Sequence, residues 1–185
     1  MSKSIYFGGS RHLGTSVLVA QVTKAVLAQG FRVHVGCQFG ADAQVIYSAL
    51  TIAPRKLSVF AVAPSEETAP PHVQVAASQV ASVTFSAGGT SAPIPARYLL
   101  RSIAAFQGCS HAVFFAPGSG SLAVAREFLK YHQSKKIHPV NGIPIFAFQP
   151  TAPALIPSVS GHWVASSFAG FSCWQWVAPA QLSLF

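Results

Sequence analysis

The residues best suited to chemistry in this chain sit in short glycine loops. The first is Ile5-Tyr6-Phe7-Gly8-Gly9-Ser10-Arg11-His12-Leu13-Gly14-Thr15, where an apolar run stops at paired glycines. Gly8 and Gly9 let the backbone turn tightly and approach a ligand closely. Thr15 or Ser16 suits the cap of a following helix, whose free N–H groups would then face an anion. Arg11 adds a planar, permanently charged fork matched to phosphate. With no lysine after its last glycine, the loop is neither a Walker loop nor a good G-x-G-x-x-G fingerprint. A second loop, Pro117-Gly118-Ser119-Gly120-Ser121, carries two hydroxyls fit to hold phosphate. A third, Cys37-Gln38-Phe39-Gly40-Ala41-Asp42, ends in a carboxylate. Asp42 is placed either to contact a ribose hydroxyl or position water, or to cap the helix that follows. Arg97 and Arg101 stand four apart and share one helix face. The candidate phosphate- and nucleic-acid-binding residues are therefore Gly8, Gly9, Ser10, Arg11, Gly40, Asp42, Arg97, Arg101, Gly118, Ser119, Gly120 and Ser121.

The elements that must position these loops follow from periodicity. Strands are expected near 5–8, 31–36, 57–63, 81–86, 111–116 and 143–148, with helices at 16–29, 41–50, 72–79, 96–106 and from after Ser121 to about 134. Alternation of strand and helix, with glycine loops after strands, predicts an α/β fold. It is a Rossmann-like three-layer α/β/α arrangement with a mainly parallel sheet. Ligands in such sheets bind beyond the carboxyl ends of the strands, so the loops 8–14, 37–42 and 117–121 should converge there. Residues 163–168 and 171–177 suit a hairpin about Ala169-Gly170. The expected organisation is a domain over 1–150, an extension over 151–178 packed on it, and a tail at 179–185.

Composition narrows the chemistry. The 185 residues include four carboxylates, Asp42, Glu66, Glu67 and Glu127, too few for a carboxylate-rich metal site. The seven histidines are scattered without metal-ligand spacing, and no Ser-His-Asp arrangement can be read from the chain. No catalytic residue, metal or cofactor is therefore assigned. Twelve Lys and Arg give a formal net charge of +8, which favours polyanions such as nucleic acid or phosphorylated ligands. Cys37, Cys109 and Cys173 form no Cys-x-x-Cys pair and suit reduced thiols in a cytosol. No leader pattern precedes the first strand, and the apolar runs are short and interrupted, so a cytoplasmic protein without a membrane span is expected. Tyr98 and the tryptophans at 163, 174 and 176 are candidates either for stacking on a base or for the core.

Taken in order, three segments resemble the DNA-processing protein A (Smf) family. Gly9-Ser10-Arg11 with Gly14 resembles its first loop. Gly36-Cys37-Gln38-Phe39-Gly40-Ala41-Asp42, running on to Ser48-Ala49-Leu50, resembles its Gly-Gly-Ala-x-Gly-Ile-Asp loop and helix. Pro95-Ala96-Arg97 through Ile103-Ala104, with Gly118-Ser119-Gly120-Ser121-Leu122 and Ala125-Arg126, resembles its Arg-Asn-Arg helix and Gly-Ser loop. The match spans about residues 4–148. It implies a Rossmann-like fold, a basic pocket for single-stranded DNA and often a homodimer. Of the Arg-Asn-Arg triplet only Arg97 is carried over, since Tyr98 and Leu99 follow it. The wider superfamily (SLOG) includes nucleotide sensors and LOG-type phosphoribohydrolases. This gives the alternative of a nucleotide-binding or nucleotide-hydrolysing protein. The hydrolase pattern Pro-Gly-Gly-x-Gly-Thr-x-x-Glu is not met: Val124 stands near the glutamate's place, with Glu127 one turn on.

The last five residues, Gln181-Leu182-Ser183-Leu184-Phe185, resemble the bacterial sliding-clamp binding pentapeptide. Gln181 would supply directional hydrogen bonds, and Leu184 and Phe185 adjacent apolar anchors. The expected function is an accessory protein that binds single-stranded DNA and is recruited to the replication clamp by this tail. A strand or plug on the protein's own core is the alternative use of the tail.

Overall fold

A computed structural model of the protein describes residues 3–79, 81–135 and 144–178. Six strands run parallel: β1 (Ser4–Gly9), β2 (Arg32–Val35), β3 (Leu57–Phe60), β4 (Ser82–Thr84), β5 (Cys109–Phe115) and β6 (Ile145–Phe148). The hairpin β7 (His162–Phe168) and β8 (Phe171–Val177) joins antiparallel through β8, giving an eight-stranded sheet of order β4-β3-β2-β1-β5-β6-β8-β7. The helices are α1 (Val17–Ala28), α2 (Ala41–Ile52), α3 (Pro71–Ser78), α4 (Ile94–Phe106) and α5 (Ser119–Ser134). This is the Rossmann-like α/β fold expected from the strand–helix alternation. The strands run outward from β1 through β2 and β3 to β4 on one side and from β5 to β6 on the other, so the order switches between β1 and β5 and opens a crevice at their carboxyl ends.

Side-chain alternation assigns the two layers. Ile5 and Phe7 of β1 face one side with Val113 and Phe115 of β5, under Val19, Val22 and Val26 of α1 and Val45, Ile46 and Ala49 of α2. Tyr6, Ala112 and Phe114 face the other, under Ala105 and Phe106 of α4 and Ala125, Phe128 and Leu129 of α5. Phe7, Phe115 and Phe148 stack across β1, β5 and β6, with ring centroids 5.8 and 5.4 Å apart. Such pairs contribute roughly 0.5–1.5 kcal/mol each beyond their buried area.

The hairpin turns at Ala169 (φ 53°) and Gly170 (φ 86°), the paired positive φ values that match the twist of adjoining strands. Strand β3 ends at Phe60, three residues before the sequence expectation. Beyond it Ala61 bonds to Thr84 and Ala87, and the Val62 carbonyl accepts from Arg97. Among the described residues no helix is long and apolar enough to cross a membrane. The pentapeptide 181–185 lies outside the described residues.

Candidate anion-binding site

A cavity of about 550 Å³ lies at the crevice between β1 and β5. Gly8, Gly9, Ser10, Arg11, Asp42, Arg101, Gly118, Ser119, Gly120 and Ser121 all line it. Two candidates do not: Gly40 and Arg97.

One wall is made of loop backbone. The Ser10 N–H donates to the Phe115 carbonyl at 2.9 Å, and the Ala41 N–H to the Ser10 carbonyl at 3.0 Å, so the first loop is pinned to β5 and α2. Glycine is required at Gly9, where a Cβ would strike the Phe115 carbonyl oxygen and come within 2.7 Å of the Ala41 Cβ. At Gly40 the backbone has φ +72° and presses on the Ser10 and Arg11 carbonyls. Gly40 thus braces the loop from behind. Arg11 is exposed and its Nε donates to His12 Nε2 at 3.1 Å. No carboxylate pairs with Arg11 among the described residues.

Beside this loop stands the N-terminus of α5. Gly118 occupies the cap position with no side-chain cap hydrogen bond, and the Leu122 N–H closes the first turn on the Gly118 carbonyl at 3.0 Å. The N–H groups of Ser119, Gly120 and Ser121 precede that first bond and have no intrahelical acceptor. A Cβ at Gly118 or Gly120 would meet nothing within 4 Å. Packing therefore does not account for either glycine. The helix α1 plays no comparable part, contrary to the expectation for Thr15 and Ser16. Ser16 caps it without a side-chain bond, and Gln44 ties down the entry, accepting from the Ser16 N–H at 2.7 Å and donating to the Gly14 carbonyl at 3.0 Å.

A second part of the lining is closed and charged. Arg101 Nη1 lies 3.3 Å from Asp42 Oδ2, and the two residues are 3% and 5% exposed. The Gln38 N–H also donates to Asp42 Oδ2, at 3.1 Å. The cap of α2 is Gly40, so Asp42 serves Arg101 and Gln38 rather than capping the helix. Gly36 makes the pair possible, because a Cβ there would overlap the Arg101 guanidinium. Burial pushes the Asp42 carboxyl above its ordinary value, against the pull of Arg101 and the Gln38 N–H. Burial also opposes the charge on Arg101, but Asp42, Tyr6 and Cys37 together outweigh it and the guanidinium stays protonated. Its Nε has no partner among the described residues. Tyr6 forms the floor; burial pushes its phenol up to about 12, partly countered by Arg101, so it remains a neutral donor.

Arg97 points elsewhere although it shares a face of α4 with Arg101. Its Nη2 donates to the Val62 carbonyl and its Nε to the Gly89 carbonyl, both at 2.9 Å, clamping the loops after β3 and β4. Glu127 does not line the cavity. Burial raises its carboxyl, and the hydrogen bonds and charges of Lys130 and Arg126 together outweigh burial, leaving it below the ordinary value. Val124 lines the cavity near the position where the hydrolase pattern places its glutamate. Trp163 and Trp176 are buried against each other, and Trp174 Nε1 donates to the Gln149 carbonyl at 3.3 Å. Of the stacking candidates, only Tyr98 reaches the cavity.

Residues not singled out from the sequence also line it: Tyr6, Gln38, Pro95, Leu99, Ser102, Phe114 and Ala123. Their signal was present. Tyr6 and Gly8 share a face of one strand, and Pro95, Tyr98, Leu99 and Ser102 follow helical spacing.

No protein-family model matches the chain, and no curated protein matches it. Solved structures do. DNA processing protein A from Helicobacter pylori, described for its single-stranded DNA binding mode, is 16% identical with a TM-score of 0.58, over 80% of this chain and 66% of that one. DNA processing protein A from Streptococcus pneumoniae is 15% identical with a TM-score of 0.56, over 85% of this chain and 52% of that one. The chain therefore spans two thirds or less of the length of these structures. At such identities the likeness is one of architecture: the chain has a Rossmann-like fold similar to that of DNA processing protein A.

Proposed function

We propose that this protein binds single-stranded DNA by taking a backbone phosphate into the cavity between β1 and β5. The observation that carries this reading is the convergence of the Gly8–Arg11 loop and the bare N-terminus of α5 on one concave site. The α5 N–H groups and the positive end of its dipole favour an anion, and Arg11 has no competing carboxylate among the described residues. The charge of +8 assists a polyanion to the site. The likeness in fold to a protein described as binding single-stranded DNA supports the same choice. Residues 1–150 would form the binding unit, with 151–178 extending its sheet. The protein would act as a homodimer, and Gln181–Phe185 would dock on the bacterial sliding clamp.

A second reading has its own support. The cavity is of the size that holds a single small ligand, about 300–1,000 Å³. A free nucleotide would then be the ligand, with phosphate at Arg11 and Ser119 and the nucleoside against Tyr6 and Tyr98.

Fluorescence anisotropy with labelled oligodeoxythymidine separates the two. The first reading expects binding that weakens with salt, by roughly threefold between about 50 and 200 mM for each phosphate neutralised, and that drops about tenfold in Arg11→Ala. Capture of free nucleotides alone would favour the second. A clamp pull-down with and without residues 181–185 tests the tail, and equal capture by both would remove it.

A further inference from the structure

Phe39 lies on the loop between Gln38, which lines the cavity, and Gly40, which presses on the Arg11 backbone. Its ring is 62% exposed, although it occupies a loop whose neighbours are buried or half-buried. It does not project freely. The ring sits 5.3 Å from the His72 ring at 70°, an edge-on contact. His72 is itself 2% exposed and hydrogen-bonded through Nε2 to the Cys37 carbonyl at 3.0 Å, so it is a fixed support. Burial lowers its pKa, which keeps the imidazole neutral. Tyr47 of α2, 48% exposed, leans on the same imidazole from 6.5 Å. The result is a small aromatic ledge, supported by His72 and exposed to solvent, on the loop whose Gly40 packs against the Arg11 backbone.

We propose that this ledge is a second subsite, where Phe39 stacks on the base of a nucleotide adjacent to the one in the cavity. The inference rests on the single-stranded DNA reading of the cavity. A base has two apolar faces and ring edges that need water, so it fits an exposed ring better than an apolar side chain of a protein partner does. Gly40, next to Phe39, packs on the Arg11 backbone, and Arg11 lines the cavity, so a strand running from cavity to ledge would place its intervening phosphate at the Arg11 guanidinium. A free mononucleotide would fill the cavity and leave the ledge empty. A strand would use both.

The test compares thymidine monophosphate with an oligodeoxythymidine of about twelve residues, a length within ordinary single-strand site sizes. Phe39→Ala should weaken the oligomer about tenfold, leave the mononucleotide unchanged and keep the thermal midpoint. Phe39→Trp should keep oligomer affinity and show emission quenching, beyond that of the wild-type protein, when oligomer is added. Equal oligomer binding by wild type and Phe39→Ala would overturn the ledge while sparing the cavity. So would equal losses for both ligands, or a loss traced by light scattering to a changed oligomeric state, which would make Phe39 a contact between copies. Failure of the wild-type protein to bind the oligomer at all would sink the single-strand reading and the ledge together. In that case mononucleotide binding would show whether the cavity survives as a nucleotide site.

Discussion

The two walls of the cavity are built on opposite plans. Around Asp42 and Arg101 each charge already has a partner in the protein, and both side chains are almost fully withdrawn from water. Around Arg11 and the start of α5 the donors are exposed and unclaimed by any carboxylate among the described residues. Both walls carry an arginine, yet only one arginine is available. A buried ion pair holds the shape of the site, whereas an exposed cation and free amides leave its charge uncompensated. The difference teaches that charge at a site must be read together with what satisfies it.

The largest effects should come from unbalancing the closed wall. Asp42→Asn leaves the Arg101 guanidinium buried without its counter-charge, which costs about 3–5 kcal/mol. Arg101→Met leaves a carboxylate instead, and a carboxylate escapes by taking a proton. Its loss should therefore be smaller and depend on pH. With the guanidinium gone, burial raises the Asp42 pKa further above its unfolded value, opposed by the Gln38 N–H and His72. The folded state binds the proton more tightly, so stability is retained at low pH and lost as pH rises through the folded pKa. Urea melts of Arg101→Met at about pH 5 and pH 8 should show the variant weaker at the higher pH. Equal losses in both variants, with no pH dependence, would break the contrast between the walls. Gly36→Ala tests the same pair from its other side, because the added methyl group displaces the guanidinium.

How much of this could be read from the chain depends on the range of the interaction. The fold was legible because strand and helix patterns are local and the glycine loops punctuate them. The open wall was legible for the same reason: Gly8 to Arg11 and Gly118 to Ser121 are contiguous, and strand-end loops in a parallel sheet share one edge. The closed wall was not. Asp42 and Arg101 are 59 positions apart, and nothing in either neighbourhood says that they meet. Arg97 shows the limit most plainly. Helical spacing placed it correctly on the face of Arg101, but its targets are carbonyls of Val62 and Gly89, supplied by loops that only the folded chain brings near. Likewise, capping preferences suggested Thr15 or Ser16 at α1, while the side chain that secures that turn is Gln44.

Arg11 should give the reverse of the Asp42 result. It is exposed and its one side-chain bond is to neighbouring His12, so Arg11→Ala should leave the urea midpoint unchanged within about 0.5 kcal/mol. If it holds one phosphate, the slope of log affinity against log salt should flatten by about 0.7–1. A loss of stability without a change in slope would move Arg11 to the structural side of the comparison.

The smallest effect sharpens the comparison most. Gly120 lies in the first turn of α5, exposed, with nothing within 4 Å of where a Cβ would stand. Glycine in a helix is less favourable than alanine by roughly 0.5–1 kcal/mol, and the penalty is reduced toward the terminus. Gly120→Ala should therefore raise stability by a few tenths of a kcal/mol. If a phosphate approaches the amides of this turn, the same methyl group would occupy the approach and weaken binding. Melting and oligomer titration on one variant would then move in opposite directions. A gain in stability with unchanged affinity would show that the ligand does not come close to this turn, and would leave Arg11 alone to carry the open wall.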